Sequence, residues 1–195
     1  MNKNEVVENL EFIKKVIQES RQSIIYGTSF IVWGALVSLS LVITYLLILT
    51  ENYSSIQYIW IGLMIIGWGY SVYEKRKLQT ETKPKTFVEN ITSSVWFATG
   101  ISITTIAILG MTGKTFNPGY ISPIISMILG VAYYVTASLH NYKWLKNISF
   151  GWWIGAICLF FITSSFSLII MAILMICFQV IPGLILLNKN KKNND

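Results

Sequence analysis

From Asn147 to Asn188 the chain reads NISFGWWIGAICLFFITSSFSLIIMAILMICFQVIPGLILLN, 42 residues without one charged side chain. At about 1.5 Å per residue this is about 63 Å of helix, enough for two crossings of a hydrocarbon core about 30 Å thick. Ser164-Ser165 divides the run into those two crossings. Similar charge-free runs fill most of the chain after Arg21. A helix on the surface of a water-soluble fold keeps a polar face, and these segments have none. The reading is all-α, a polytopic membrane helix bundle.

Worked outward from that stretch, the apolar runs give six transmembrane helices, at about 24–50, 56–73, 91–111, 120–139, 148–163 and 166–187. Together they make a six-span membrane domain over 24–188, followed by a basic tail, 189–195. The segment 1–23 that precedes them is polar but periodic. Val6, Leu10, Ile13 and Ile17 recur at spacings of four, three and four, the seam of an amphipathic N-terminal helix. Such a helix lies on the membrane surface or packs on a protein partner. Its four acidic and four basic residues weaken pure attraction to anionic lipid, which favours protein contact. The first span is too long, and too poor in small residues at its end, to read as a cleavable signal.

Composition agrees with the bilayer as solvent. The hydrophobic fraction is 53% and the charged fraction 12%, against roughly 25% in soluble domains. The net charge of +6 does not point to nucleic acid, because the basic residues sit in short flanks beside the spans. The amino-terminal segment carries Lys3, Lys14, Lys15 and Arg21, and the loop expected at 74–85 carries Lys75, Arg76, Lys77, Lys83 and Lys85. Lys143 and Lys146 follow the fourth span, and Lys189, Lys191 and Lys192 close the chain. In a six-span arrangement all of these fall on one side and Lys114 alone on the other. Retention of positive charge on the inner face then puts the N- and C-termini in the cytoplasm.

Chemistry-bearing residues are sparse. No ionisable group lies within the spans as drawn, which leaves no proton or ion relay at membrane depth. Glu89, just before the third span, reads as an interfacial carboxylate at a helix start, with a functional acid as the alternative. His140, the lone histidine, ends the fourth span and is an interfacial residue or a pH sensor. Cys158 and Cys177 fall inside spans as small packing residues. Thr112-Gly-Lys-Thr115 mimics the end of a phosphate-binding loop, but Ile108 stands where that loop needs glycine. The expectation is a non-enzymatic protein with no catalytic, cofactor-binding or metal-binding residues and no cofactor.

Other features concern shape. Gly151 and Gly155 form a Gly-x-x-x-Gly pair on the fifth span, for packing within the bundle or between copies. Ser94, Ala98 and Ser102 line one face of the third span, and Ser126 with Gly130 one face of the fourth. Pro118-Gly119 suits the centre of a type II turn, and Ser122-Pro123 a cap followed by the first helical residue. Pro182-Gly183, after Gln179, bends the sixth span, as a structural device or a hinge. Trp33-Gly34-Ala35, Trp96-Phe97-Ala98 and Trp153-Ile154-Gly155-Ala156 recur on the odd spans, as three related hairpins or as membrane composition alone.

Glu11-Phe-Ile-Lys-Lys-Val-Ile-Gln-Glu-Ser20, Phe30-Ile-Val-Trp-Gly-Ala-Leu-Val37, Ile66-Gly67-Trp68 with Lys75-Arg76-Lys77, and Val180-Ile181-Pro182-Gly183 carry a resemblance. In these segments the chain resembles a poorly characterised family of small bacterial six-helix integral membrane proteins. Ala35 departs from the family pattern, which has a second tryptophan there. The resemblance implies a bacterial plasma-membrane location and no activity. Two functions are then expected. One is a membrane component or regulator whose helix 4–22 docks a cytoplasmic partner or a second copy; the other is a channel or carrier for an apolar or neutral solute.

Overall fold

The structure, a computed structural model, describes residues 8–14, 27–80, 86–111, 116–162 and 164–192. Residues 8–14 form a short helix, α1. The bundle follows as α2 (Gly27–Leu49), α3 (Ile56–Thr80), α4 (Phe87–Met111), α5 (Ile121–Leu139), α6 (Lys143–Phe161) and α7 (Ser167–Met175). A five-residue π-helical turn, Ile176–Val180, carries α7 without a break into α8 (Ile181–Lys192). Six helical segments are long and apolar enough to cross a membrane, the last being Ser167–Lys189. The chain is a multi-pass membrane protein.

Polarity is arranged for lipid rather than water. On α2 the buried side includes Phe30, Gly34, Ser38, Ser40, Leu41 and Thr44. Leu39, Val42, Leu46 and Leu49 of the same helix are exposed. Two of these inward hydroxyls find acceptors: Thr44 donates to the Ser40 carbonyl at 2.7 Å, and Ser38 to the Ala172 carbonyl of α7 at 3.3 Å. The outward face consists of aliphatic side chains, for which lipid is as good a solvent as the protein core.

The core forms where backbones approach closely. α5 and α6 make the most intimate pair: the Ser126 hydroxyl donates to the Trp152 carbonyl at 2.8 Å, and Gly130 receives the Trp153 indole. Phe178 covers Gly151 and Leu174 covers Gly155, so both glycines of the Gly-x-x-x-Gly pair serve packing inside the bundle. Ser94, Ala98 and Ser102 are exposed, Ser94 on the cavity, and the two serines bond back to Asn90 and Ala98 of their own helix. Cys158 and Cys177 are also exposed on the outer surface, which corrects their reading as packing residues. In lipid an outward thiol carries no penalty, so apolarity alone did not fix its side.

Several boundaries move for local reasons. α3 runs to Thr80, past the apolar run, because Glu74 turns inward to hydroxyls of α2 and Tyr70; residues 74–80 are helix rather than loop. Lys83, Lys85, Thr112-Gly-Lys-Thr115 and the amphipathic seam outside 8–14 lie beyond the described residues. Within 8–14, Leu10 and Ile13 are exposed, and Phe12 meets Phe87 of α4 edge-on at 6.3 Å. Pro118–Tyr120 form one 3-10 turn rather than a type II turn, because the Asn117 side chain accepts from the Gly119 N–H at 2.9 Å. Helix α5 starts at Ile121, so Ser122 is buried in its first turn and is not its cap.

The connections α2–α3 and α5–α6 are held by left-handed residues at the helix ends, Glu51 (φ 56°) and Asn141 (φ 54°). In each, the following N–H reaches back five residues, Asn52 to Leu47 at 2.9 Å and Tyr142 to Ala137 at 2.9 Å. This closure satisfies carbonyls that a helix end leaves open. At the far end of the chain, Ile181 N–H bonds the Ile176 carbonyl, the i to i−5 pattern of a π-turn. Pro182 accounts for it, since its ring lacks an N–H and crowds the Phe178 carbonyl of a regular helix. Contacts of Gly27 with Gly183, Thr28 with Glu74, Thr92 with His140 and Lys189 with Tyr142 gather one end of the bundle. That end, which holds Arg76, Lys77, Lys143, Lys146 and Lys189, is called the basic end below.

Candidate functional site

A cavity of about 1560 Å³ lies between α2, α3, α4, α5 and α7. It exists because α3 packs on α2 and α4 packs on α5, while α3 and α4 scarcely meet. Its lining runs from Ser29, Glu74 and Thr86 at the basic end to Tyr53, Asn117 and Ser164 at the opposite end. It therefore follows the full length of the bundle.

Four of the seven tryptophans, Trp33, Trp60, Trp68 and Trp96, wall it. Hydrogen bonds fix three of these indoles: Trp33 to Ser71 at 3.0 Å, Trp60 to Thr44 at 3.2 Å and Trp96 to Thr136 at 3.1 Å. The polar N–H of each of these lining indoles is thereby satisfied within the protein. Trp68 of α3 stands edge-on between Trp33 of α2 (6.1 Å) and Phe97 of α4 (6.3 Å), an aromatic strut across the gap between α3 and α4. Phe30 adds edge contacts to Trp96 at 4.8 Å and to Tyr133 at 5.4 Å.

Below the strut, at the basic end, the lining turns polar. Glu74 accepts from the hydroxyls of Thr28 and Ser29, which α2 presents in its first turn, and from Tyr70 at 3.3 Å. On the facing wall Thr86 and Glu89 close a reciprocal cap on α4: the Thr86 N–H donates to Glu89 Oε2 at 3.1 Å, and the Glu89 N–H to Thr86 Oγ1 at 3.2 Å. Threonine followed three residues later by glutamate is the capping-box spacing. One turn along, Thr92 Oγ1 lies 2.9 Å from His140 Nε2. His140 is buried and stacks on Tyr142 at 6.1 Å.

Above the strut the one strongly polar side chain from α7 and its continuation is Gln179. It sits on the π-turn, packs against Gly34 of α2, lines the cavity and is only 5% exposed. Its Oε1 has no hydrogen-bond donor among the described residues. The extra residue of the π-turn rotates this side of the helix and points the carboxamide inward, an arrangement recurrent at functional sites.

Of the residues singled out from sequence, Glu89 reaches the cavity rim as a helix cap, and His140 stands one hydrogen bond away behind Thr92. Pro182 is buried outside the cavity and acts through the π-turn that sets Gln179. Glu74 was not a candidate, because apolarity ends at Tyr73. The signals that find it are the i, i+4 pair Tyr70–Glu74 and the Thr28-Ser29 hydroxyls at the same depth. The three tryptophans of the odd spans differ in their bonding: Trp33 and Trp96 each donate to a hydroxyl on the next helix, whereas Trp153 donates to the Met127 carbonyl of the preceding one. Among the described residues no group of three His, Cys, Asp or Glu gathers to hold a metal ion. Compared with models of protein families, with curated proteins and with solved structures, the chain matches none.

Proposed function

We propose that this protein is a non-enzymatic component of the plasma membrane that takes a membrane-soluble small molecule into its central cavity, as a carrier or receptor. The observation that carries the reading is the tryptophan-walled space of about 1560 Å³ along the whole bundle. Sites for drug-sized ligands are concave, mostly apolar and about 300–1,000 Å³ in size, with few polar groups. This one is concave and larger, with aromatic and aliphatic walls interspersed with hydroxyls, amides and two carboxyl groups. The parting of α3 from α4 gives a molecule dissolved in the bilayer a side entry that needs no crossing of water. The reading rests on the bundle rather than on the amino-terminal helix, of which residues 8–14 are described.

Pyrene, an apolar fluorophore excited by tryptophan emission, tests it. In lipid nanodiscs it should show a saturable component of energy transfer above partition into lipid. Ala107 lines the cavity, and Ala107→Phe should remove most of that component. No saturable component, or an unchanged one in the variant, overturns the reading.

The same proposal holds both termini in the cytoplasm, supported by the placement of every Lys and Arg except Lys114 on one side. With Cys158 and Cys177 replaced by alanine, a thiol reagent that cannot enter cells should modify Lys114→Cys and spare Lys83→Cys. The reverse pattern inverts the topology.

A further inference from the structure

We propose that the section of the cavity between Glu74 and Gln179 binds the head of an amphipathic organic cation, whose apolar groups fill the aromatic chamber. The inference rests on the cavity-binding reading above and specifies its ligand. Two independent observations carry it. Among the described residues lining the cavity, the charged ones are Glu74 and Glu89, and none is a Lys, Arg or His. Both line the space; Glu89 caps α4, and Glu74 accepts from the hydroxyls of Thr28, Ser29 and Tyr70. Carboxyl groups near membrane depth are found beside a partner, a water-filled cavity or a transported charge, and the partners of Glu74 among the described residues are neutral hydroxyls. Arg76 and Lys77 follow on the next turn of α3 but are exposed and do not line the cavity.

The second observation is Gln179, 5% exposed, with an Oε1 that no donor among the described residues meets. Buried acceptors are normally satisfied, so an exception inside a cavity points to a ligand atom. Its place relative to Glu74 follows from α2. Ser29 bonds Glu74 and Gly34 packs on Gln179; five residues of helix rise about 8 Å. Between those levels stand Trp33 and Trp68, whose ring faces attract a cation placed over them. Acceptor, aromatic walls and second acceptor together select a positive, apolar-substituted head and repel an anion of the same shape.

Tetraphenylphosphonium and tetraphenylborate have nearly the same size and opposite charge, which makes them the probes. Equilibrium dialysis against protein-bearing and empty phosphatidylcholine nanodiscs separates binding to protein from partition into lipid. The expected result is saturable protein-dependent binding of the cation and none of the borate. Glu74→Gln should weaken the cation about tenfold, and Gln179→Leu, which removes a carbonyl dipole rather than a hydrogen bond because the phosphonium has no N–H or O–H, about threefold. The charge contrast is read on the unaltered protein, so it stands even if a variant fails to fold. Borate binding as tight as the cation, or folded variants of unchanged affinity, overturns the inference. Saturable pyrene binding without cation binding removes the charge assignment and leaves the cavity reading; failure of both probes removes both.

Discussion

Gly183→Leu is expected to lower the unfolding temperature of the bundle more than any substitution on its outer face. A side chain at 183 has no room. An ideal Cβ there would lie 2.8 Å from the Gly27 carbonyl oxygen, 2.8 Å from Ile31 Cγ1 and 3.0 Å from the Ile31 backbone N. Two of these three neighbours are backbone, so relief requires α8 to move away from α2 rather than a rotamer to change. Gly27 repeats the constraint from the other side, its own Cβ position lying 2.3 Å from the Gly183 carbonyl oxygen. Overpacking of close-fitted cores costs about 1–3 kcal/mol, and a backbone clash belongs at the upper end. Gly69 is the control, since nothing lies within 4 Å of its Cβ position. Gly69→Ala should be neutral or gain up to about 1 kcal/mol from helix propensity. Thermal unfolding in mild detergent, followed by circular dichroism, separates the two; equal melting temperatures would refute the close crossing.

That crossing illustrates what sequence carries in a membrane fold and what it does not. Spans were legible because charge stops at the edge of the hydrocarbon: the run from Asn147 to Asn188 cannot be read any other way. Facing was not legible, since lipid and core are both apolar. Cys158, Cys177, Ala98 and Ser102 are exposed, while Gly151 and Gly155 point inward, and hydrophobicity does not distinguish the two groups. The cavity was hidden for the same reason. Its walls are tryptophans that composition assigns equally well to interfacial belts, and only the hydrogen bonds of Trp33, Trp60 and Trp96 show which way the rings turn. Glu74 was lost at a boundary: an apolar count stops at Tyr73, whereas the helix continues to Thr80. Gln179 was visible as a polar residue before Pro182, but its inward aim depends on a π-turn that no local pattern encodes.

Trp152→Ala should cost about 3–5 kcal/mol, the range for loss of a large buried aromatic side chain. Trp152 is 0% exposed and joins three elements: its ring lies 6.2 Å from Tyr133 of α5 and 5.9 Å from Phe178 of the π-turn. Its backbone carbonyl also receives the Ser126 hydroxyl, a bond that truncation of the side chain leaves in place. The loss is therefore one of packing, and the conservative variant can isolate it. The Trp152 Nε1 and the Tyr133 hydroxyl are both buried with no protein partner among the described residues. A buried donor without a partner contributes nothing that its removal can take away, so Tyr133→Phe should be neutral or slightly stabilising. Trp152→Phe should lose only the volume of the second ring, well under the cost of alanine. The contrast decides between two views of this core. If Tyr133→Phe costs more than about 1 kcal/mol and the double variant costs less than the sum of the singles, the two donors share an acceptor, and the centre of the bundle is a polar network. If Tyr133→Phe is neutral, packing and the Ser126 bond hold α5, α6 and the π-turn together, and Gln179 on that turn is left to face the cavity.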